Sequence, residues 1–145
     1  SGVVQDSRHW IYFPQNTVRF FRVGFYHNFS SHLTPPQKGS LYAEFSYLPG
    51  DHVDKKKLAI RLKEDLRKVG LLSGNTKILA EKINDIKYGY PIYDTHYKSS
   101  RGKVIRYLTG RDIIPCGRYG SWRYLSMEDV ILDARKTVKL LSKDV

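Results

Sequence analysis

The chain has 145 residues, 41% of them hydrophobic, which is enough for one ordinary domain with a buried core. Its 25 Lys and Arg against 14 Asp and Glu give a formal net charge of +11, and this favours anionic partners such as phosphorylated small molecules or nucleic acid. The sequence lacks an apolar run long enough to span a membrane, and its single Cys116 excludes an internal disulfide framework and a cysteine-based zinc site. We therefore predict a cytoplasmic location, no membrane span and no bound metal.

The segment from His9 to Tyr47 favours β-strands. Aromatic and β-branched residues fill it, and turn sequences such as PQN and TPPQKG interrupt it. This pattern predicts three antiparallel strands. In the third strand, Leu41 and Ala43 should face one side of the sheet, with Tyr42 and Glu44 on the other.

A helix is predicted to begin at Asp54. Leu58, Leu62 and Leu66 recur at helical spacing, and Gly70 stands where a left-handed residue ends a helix.

The second half of the chain predicts two more strands and two more helices. The tyrosine-rich segment 86–94 favours a strand, because aromatic residues suit a pleated surface. A short helix is expected around 103–108, closed by Gly110, and DIIPCG at 112–117 reads as a short buried strand. The last predicted helix is 127–141. The expected fold is α+β, with an antiparallel or mixed sheet of about five strands, two long helices and one or two short ones, in a single domain covering 1–145.

The turn before the last helix, GRYGSWRY at 117–124, combines glycine, arginine and aromatic residues. Ser126 is a good N-cap, and Asp129 three residues later completes a capping box. A strand, a glycine turn and a helix N-terminus place backbone amides where they can face an electronegative group, and Arg118 and Arg123 would add side-chain donors. The sequence therefore indicates an anion site, or else a strand-to-helix junction whose aromatic residues simply pack.

Five motifs carry a resemblance to known proteins: HWIYFP, RVGFYHNFS, LYAEFS, YGYPIYD and GRYGSWRYLSMEDVI. Their order resembles the downstream part of the protoporphyrinogen-oxidase-like and amine-oxidase-like flavoproteins, a group that includes UDP-galactopyranose mutases. The resemblance covers roughly residues 9–141. It implies FAD as cofactor, a substrate-facing sheet at about 9–94, and a late strand-turn-helix at about 111–142 that contacts the flavin. The implied activity is that of a flavin-dependent oxidoreductase or a redox-neutral mutase-like enzyme acting on a sugar nucleotide or another phosphorylated substrate.

The resemblance also assigns site residues, although it identifies none as catalytic. The residues implied in cofactor binding are Gly117, Arg118, Ser126, Met127 and Glu128. Those implied in binding an anionic substrate are Arg118 and Tyr124, and we add Tyr93 and Arg22 as further candidates for the substrate face. The amides at the start of the last helix would face the flavin, where the positive end of a helix dipole stabilises the reduced, anionic form.

One expected motif is absent from the sequence. A dinucleotide-binding fingerprint needs G-x-G-x-x-G after a strand and an acidic residue about 20 positions later, and the chain has neither. We therefore expect an N-terminal FAD-binding Rossmann part of the same parent chain as a partner, and weak or no FAD binding by these 145 residues alone.

The alternative function is a basic, aromatic nucleic-acid-binding or interaction domain without catalysis. Eleven Tyr, six Phe and two Trp beside a charge of +11 could stack bases and follow a phosphate backbone. A strand meander followed by helices differs from the repeated strand-helix pattern of an RNA-binding sheet, and this difference argues against a nucleic-acid partner.

Overall fold

A computed structural model of the chain describes residues 7–48 and 50–142. The chain divides into two compact units, one ending at Asn84 and the other beginning at Asp85. Within the described ranges, no helix has both the length and the apolar composition needed to cross a bilayer.

The first unit contains a three-stranded antiparallel sheet in the order β1-β2-β3. Its strands are β1 at Trp10–Tyr12, β2 at Arg22–Phe25 and β3 at Leu41–Glu44. Two short 3-10 helices, Tyr26–Asn28 and Ser31–Leu33, connect β2 to β3. The three predicted antiparallel strands are thus confirmed.

Helix α1, Lys55–Lys68, follows the sheet and was correctly predicted. The Asp54 carboxylate accepts hydrogen bonds from the amides of Lys56 and Lys57, which satisfies two donors that a helix start leaves without partners. Gly70 ends the helix with φ +75°, the left-handed conformation that glycine adopts without steric cost.

The core of the first unit lies between one face of the sheet and α1. Its buried residues are Phe20, Val23, Phe25, Leu66 and Leu71. Strand register explains this arrangement, because Ile11, Val23 and Ala43 lie opposite one another and therefore share the face that packs on the helix.

The described residues of the second unit form three helices, α2 at Tyr97–Thr109, α3 at Gly117–Gly120 and α4 at Met127–Leu141. Gly110 caps α2 as predicted, but the helix begins at Tyr97, well before the expected 103. The bounds of α4 agree with the prediction, and its capping box between Ser126 and Asp129 is present.

Several predictions about the second half of the chain are wrong. Segments 86–94 and 112–117 form no strand among the described residues, so the sheet has three strands rather than five and spans 10–44 rather than 9–94. Pro91 and Pro115 lack the amide that a strand needs, and the described part of the second unit offers no neighbouring strand to pair with. The expected strand-turn-helix at 111–142 is instead a helical turn followed by a helix. The predicted number of long helices is also wrong. Three helices are long rather than two, because α1, α2 and α4 have 14, 13 and 15 residues, and α3 has four.

Candidate functional site

The turn between α3 and α4 is held in place by α2. Tyr97 Oη donates to the Trp122 carbonyl at 2.5 Å, and Arg101 Nε donates to the Ser121 carbonyl at 2.6 Å. Trp122 has φ +48°, an uncommon conformation for a bulky residue, and a bond to each of two successive carbonyls helps to fix it. Burial raises the Tyr97 pKa, and the neighbouring Tyr93 adds to the effect, so the Tyr97 hydroxyl keeps the proton that it donates.

Asp133 on α4 ties the helix to α3 and to the turn. Its Oδ2 accepts from the Gly117 amide at 2.9 Å, and its Oδ1 accepts from Arg123 Nη2 at 2.8 Å. The bond from the Gly117 amide lowers the Asp133 pKa, partial burial opposes this, and Arg123 lowers the pKa further. Gly117 has φ +74°, and this left-handed backbone conformation accounts for glycine at the position.

Arg118 lies against two stacked tyrosine rings. The Tyr90 and Tyr124 rings are 5.8 Å apart at 18°, and the Arg118 guanidinium carbon is 4.8 Å from the centre of each. Its Nη1 donates to the Leu125 carbonyl and its Nη2 to the Gly89 carbonyl, both at 3.3 Å. Among the described residues, no carboxylate forms an ion pair with Arg118. A half-buried cation that lacks a carboxylate partner is a candidate for binding an anionic ligand.

Tyr93 and Tyr124, both predicted to contact substrate, lie together. The Tyr124 amide donates to Tyr93 Oη at 2.7 Å, and both side chains are largely exposed. Neither residue lines the nearby cleft of about 310 Å³, but their ring neighbours do: Tyr90, which stacks on Tyr124, and Tyr97, which packs on Tyr93. The rest of the cleft lining includes one acidic residue, Asp94, with Tyr88, Ile92, His96, Ser100, Arg101 and Trp122.

The start of α4 presents free backbone donors. Ser126 Oγ accepts from the Asp129 amide at 3.1 Å and donates to Asp129 Oδ2 at 2.8 Å, so its hydroxyl is engaged in the cap. The Ser126 amide also donates to Asp129 Oδ2 at 2.9 Å, and this bond, together with the bond from the Ser126 hydroxyl, lowers the Asp129 pKa. The amides of Met127 and Glu128 form no hydrogen bond within the described part of the chain, and both residues are exposed.

Arg22 lies in the first unit, on the sheet face opposite the core. Its guanidinium forms an ion pair with Glu44 and donates to Tyr12 Oη at 3.3 Å. Burial acts to lower the Arg22 pKa, but the bonds to Glu44 and Tyr12 outweigh it and raise the pKa. The charge of Arg22 is therefore already compensated within the chain.

The predicted residues thus fall into two groups. The second unit holds Gly117, Arg118, Tyr124, Tyr93, Ser126, Met127 and Glu128, whereas Arg22 belongs to the first unit. Sequence reasoning missed Asp133, Tyr90, Tyr97 and Arg101, which position the turn. The sequence holds one signal for these residues. Tyr97 and Arg101 are four positions apart, a spacing that places them on the same face of a helix. Within the described residues, no group of three or more metal-ligating side chains comes together.

Of the three comparisons with known proteins, the comparison with solved structures finds a similar protein. No family model matches the chain, and the search of curated proteins finds no match. Among solved structures, the crystal structure of reduced UDP-galactopyranose mutase matches with a TM-score of 0.71 and 27% sequence identity. The match covers 81% of this chain but 25% of the mutase chain, so this chain spans about a quarter of that protein's length.

This similarity supports a flavoenzyme-like fold for the chain and agrees with the mutase part of the sequence resemblance. The comparisons give no support to the amine-oxidase-like or protoporphyrinogen-oxidase-like part. They do not favour the nucleic-acid-binding alternative.

Proposed function

We propose that this chain is the part of an FAD-dependent, mutase-like enzyme that binds an anionic substrate and faces the flavin. The proposed substrate is a sugar nucleotide or another phosphorylated molecule. The observation that carries the proposal is the half-buried Arg118 without a carboxylate partner, in a chain whose fold is similar to part of UDP-galactopyranose mutase.

Arg118 is suited to hold a phosphate. Two of the five guanidinium N–H groups bind carbonyls, which leaves three for a ligand. The carbonyl bonds of 3.3 Å are longer than the 2.7–2.9 Å typical of an arginine–phosphate bond, so a phosphate competes well for these donors. The rings of Tyr90 and Tyr124 fix the guanidinium plane, which reduces the side-chain entropy lost on binding.

Tyr93 and Tyr124 complete the proposed substrate site. Both are exposed, and the bond from the Tyr124 amide to Tyr93 Oη fixes their separation. Arg22 belongs to the proposal less directly, because a substrate anion would have to compete with Glu44 for its guanidinium.

The start of α4 is the contact that we propose for the flavin end of FAD. The amides of Met127 and Glu128 point out of an exposed helix N-terminus and can donate to an electronegative ring edge. Gly117 and Ser126 shape this end of α4 through Asp133 and the capping box rather than offering free donors. FAD, when bound, would supply the redox chemistry, and the adenosine diphosphate would be held by a Rossmann part outside these 145 residues.

The test uses the purified full-length flavoenzyme that contains these residues. We expect a flavin absorbance spectrum that bleaches with dithionite. We also expect Arg118→Ala to weaken UDP-galactose binding at least tenfold, since a charge-assisted bidentate contact is lost. Arg135→Ala is the matched control, because Arg135 is exposed on α4 and outside the cluster. A colourless protein that FAD cannot reconstitute would refute the proposal, as would equal binding by the two variants.

A further inference from the structure

Two tyrosines bridge the turn between α3 and α4. Tyr97 Oη, on the first residue of α2, donates to the Trp122 carbonyl at 2.5 Å, and Tyr93 Oη accepts from the Tyr124 amide at 2.7 Å. The two tyrosine rings pack on each other, with their centres 4.5 Å apart. The pair therefore holds a backbone carbonyl and a backbone amide that lie on either side of Arg123.

The two tyrosine hydroxyls also interact with each other. Burial raises the Tyr97 pKa, and the coulombic effect of Tyr93 and a side-chain hydrogen bond with Tyr93 raise it further. Because the Tyr97 hydroxyl donates its single proton to the Trp122 carbonyl, Tyr93 is the donor in the bond between the hydroxyls. The bonds thus form one chain, from the Tyr124 amide through both hydroxyls to the Trp122 carbonyl, and bonds in such a chain strengthen one another.

The turn has a backbone conformation that depends on support from α2. Trp122 has φ +48°, and a bulky residue holds this conformation only where the surrounding structure imposes it. The support is the bond from Tyr97 to the Trp122 carbonyl, together with the bond from Arg101 Nε to the Ser121 carbonyl. Removing the Tyr97 hydroxyl therefore lets Trp122 relax toward a commoner φ, and this displaces the residues that follow it.

The residues that follow Trp122 hold the Arg118 guanidinium. The Tyr124 ring lies 4.8 Å from the guanidinium carbon, and the Leu125 carbonyl accepts from Arg118 Nη1. The Arg123 amide also donates to the Arg118 carbonyl at 3.1 Å. A displacement of this turn is thus passed on to the Arg118 side chain through two of the groups that orient it.

We propose that Tyr97 is a positioning residue for the substrate phosphate, because it places Tyr124 and thereby sets the plane of the Arg118 guanidinium. This inference rests on the proposed function, in which Arg118 binds the phosphate. A bidentate bond between arginine and phosphate depends on the orientation of the guanidinium, and a misplacement of about 1 Å in such a contact costs up to about 100-fold.

A direct contact of Tyr97 with the phosphate is the competing interpretation, since Tyr97 lines the cleft beside Tyr90. The hydrogen bonds argue against it. The oxygens of an ionised phosphate only accept hydrogen bonds, and the single hydroxyl proton of Tyr97 is already donated to the Trp122 carbonyl. Tyr97 therefore acts through the turn rather than on the ligand.

The experiment is a double-mutant cycle on the full-length flavoenzyme that contains these residues. Titration calorimetry measures the Kd of UDP-galactose for wild type, Tyr97→Phe, Arg118→Ala and the double variant. We expect Tyr97→Phe to raise the Kd at least about fivefold in wild type but less than about twofold in Arg118→Ala, which has no guanidinium to position. Tyr107→Phe, on the exposed side of α2, is the matched control and should leave the Kd unchanged in both backgrounds.

A second variant covers the case in which Tyr97→Phe does not fold. Arg101→Ala removes the other bond from α2 to the turn, so it should raise the Kd with the same dependence on Arg118. The flavin spectrum of each sample shows whether the variant is folded and loaded.

Two results overturn the inference. A Tyr97→Phe protein that binds UDP-galactose as tightly as wild type would show that the bridge does not orient Arg118. An equal fold-increase of the Kd in the wild-type and Arg118→Ala backgrounds would place Tyr97 on the ligand itself. Either result, in a flavin-containing enzyme in which Arg118→Ala does weaken binding, refutes this inference alone. If Arg118→Ala binds as tightly as wild type, the proposed function fails and this inference fails with it.

Discussion

Replacing Asp133 by asparagine tests whether this carboxylate holds the turn that carries Arg118. The variant keeps one carbonyl acceptor but places an amide donor against either the Gly117 amide or the Arg123 guanidinium. A bond to a charged group contributes about 1.5–3 kcal/mol. The Arg123 contact belongs near or below the low end of that range, because the Arg123 side chain is 42% exposed and therefore partly screened. We expect Asp133→Asn to lower the free energy of unfolding by about 2 kcal/mol at pH 7.

The pH dependence gives the same prediction a second test. The folded-state pKa of Asp133 lies below its usual value, so ionised Asp133 stabilises the fold at pH values above the unfolded pKa of about 3.9. This contribution is lost as the pH falls through the folded pKa. Because asparagine does not titrate, the stability difference between wild type and Asp133→Asn should be largest near neutral pH and shrink below about pH 4.

The assay is urea unfolding followed by tryptophan fluorescence. A Trp10→Phe background leaves Trp122, next to Arg123, as the reporter for the second unit. Glu128→Gln is the matched control, because it removes an exposed carboxylate from the same helix and should change stability by no more than about 0.5 kcal/mol. The reasoning is refuted if Asp133→Asn unfolds at the wild-type urea concentration at pH 7, or if the difference persists undiminished at pH 3.

Two further substitutions test local features. Gly70→Ala should lower the free energy of unfolding by about 1 kcal/mol in thermal or urea unfolding, because φ of Gly70 is +75°. Gly74→Ala should lower it far less, because Gly74 lacks a positive φ. Sterics do not separate the two variants, since at neither position does the added Cβ meet an atom within 4 Å. Equal effects of the two changes would contradict the strain argument. Tyr97→Phe removes the hydroxyl that donates to the Trp122 carbonyl. It should lower the free energy of unfolding, followed by Trp122 fluorescence, by about 1 kcal/mol. Tyr107→Phe on the exposed side of α2 is its control, and a Tyr97→Phe protein as stable as the control would show that the bond contributes nothing.

Local sequence signals predicted the features that depend on neighbouring residues. Asp54 caps α1, Gly70 ends it, and Ser126 with Asp129 forms the capping box of α4. Each of these features is set within four residues of the chain, where the chemistry of one side chain and the nearest amides decides the outcome.

Strands in the second half could not be predicted in the same way. Residues 112–117 have the apolar composition of a strand, but a strand forms only when another strand satisfies its backbone groups. The composition of a segment does not indicate whether a partner strand exists. The polar contacts of Asp133 with Gly117 and Arg123 were missed for a related reason, because they join residues 16 and 10 positions apart, respectively.

The sequence could not predict which of the two selected arginines, Arg22 or Arg118, has a neighbouring carboxylate. Arg22 and Arg118 each lie among tyrosines, and sequence reasoning gave both a substrate role. Glu44 neutralises Arg22, so an anion that binds there must first separate an ion pair, and the displaced Glu44 carboxylate then repels the anion. Within the described residues, Arg118 donates to two neutral carbonyls at 3.3 Å, so an incoming phosphate would replace weak bonds by stronger ones. The presence or absence of a neighbouring carboxylate, rather than the arginine or its aromatic surroundings, makes Arg118 the stronger candidate.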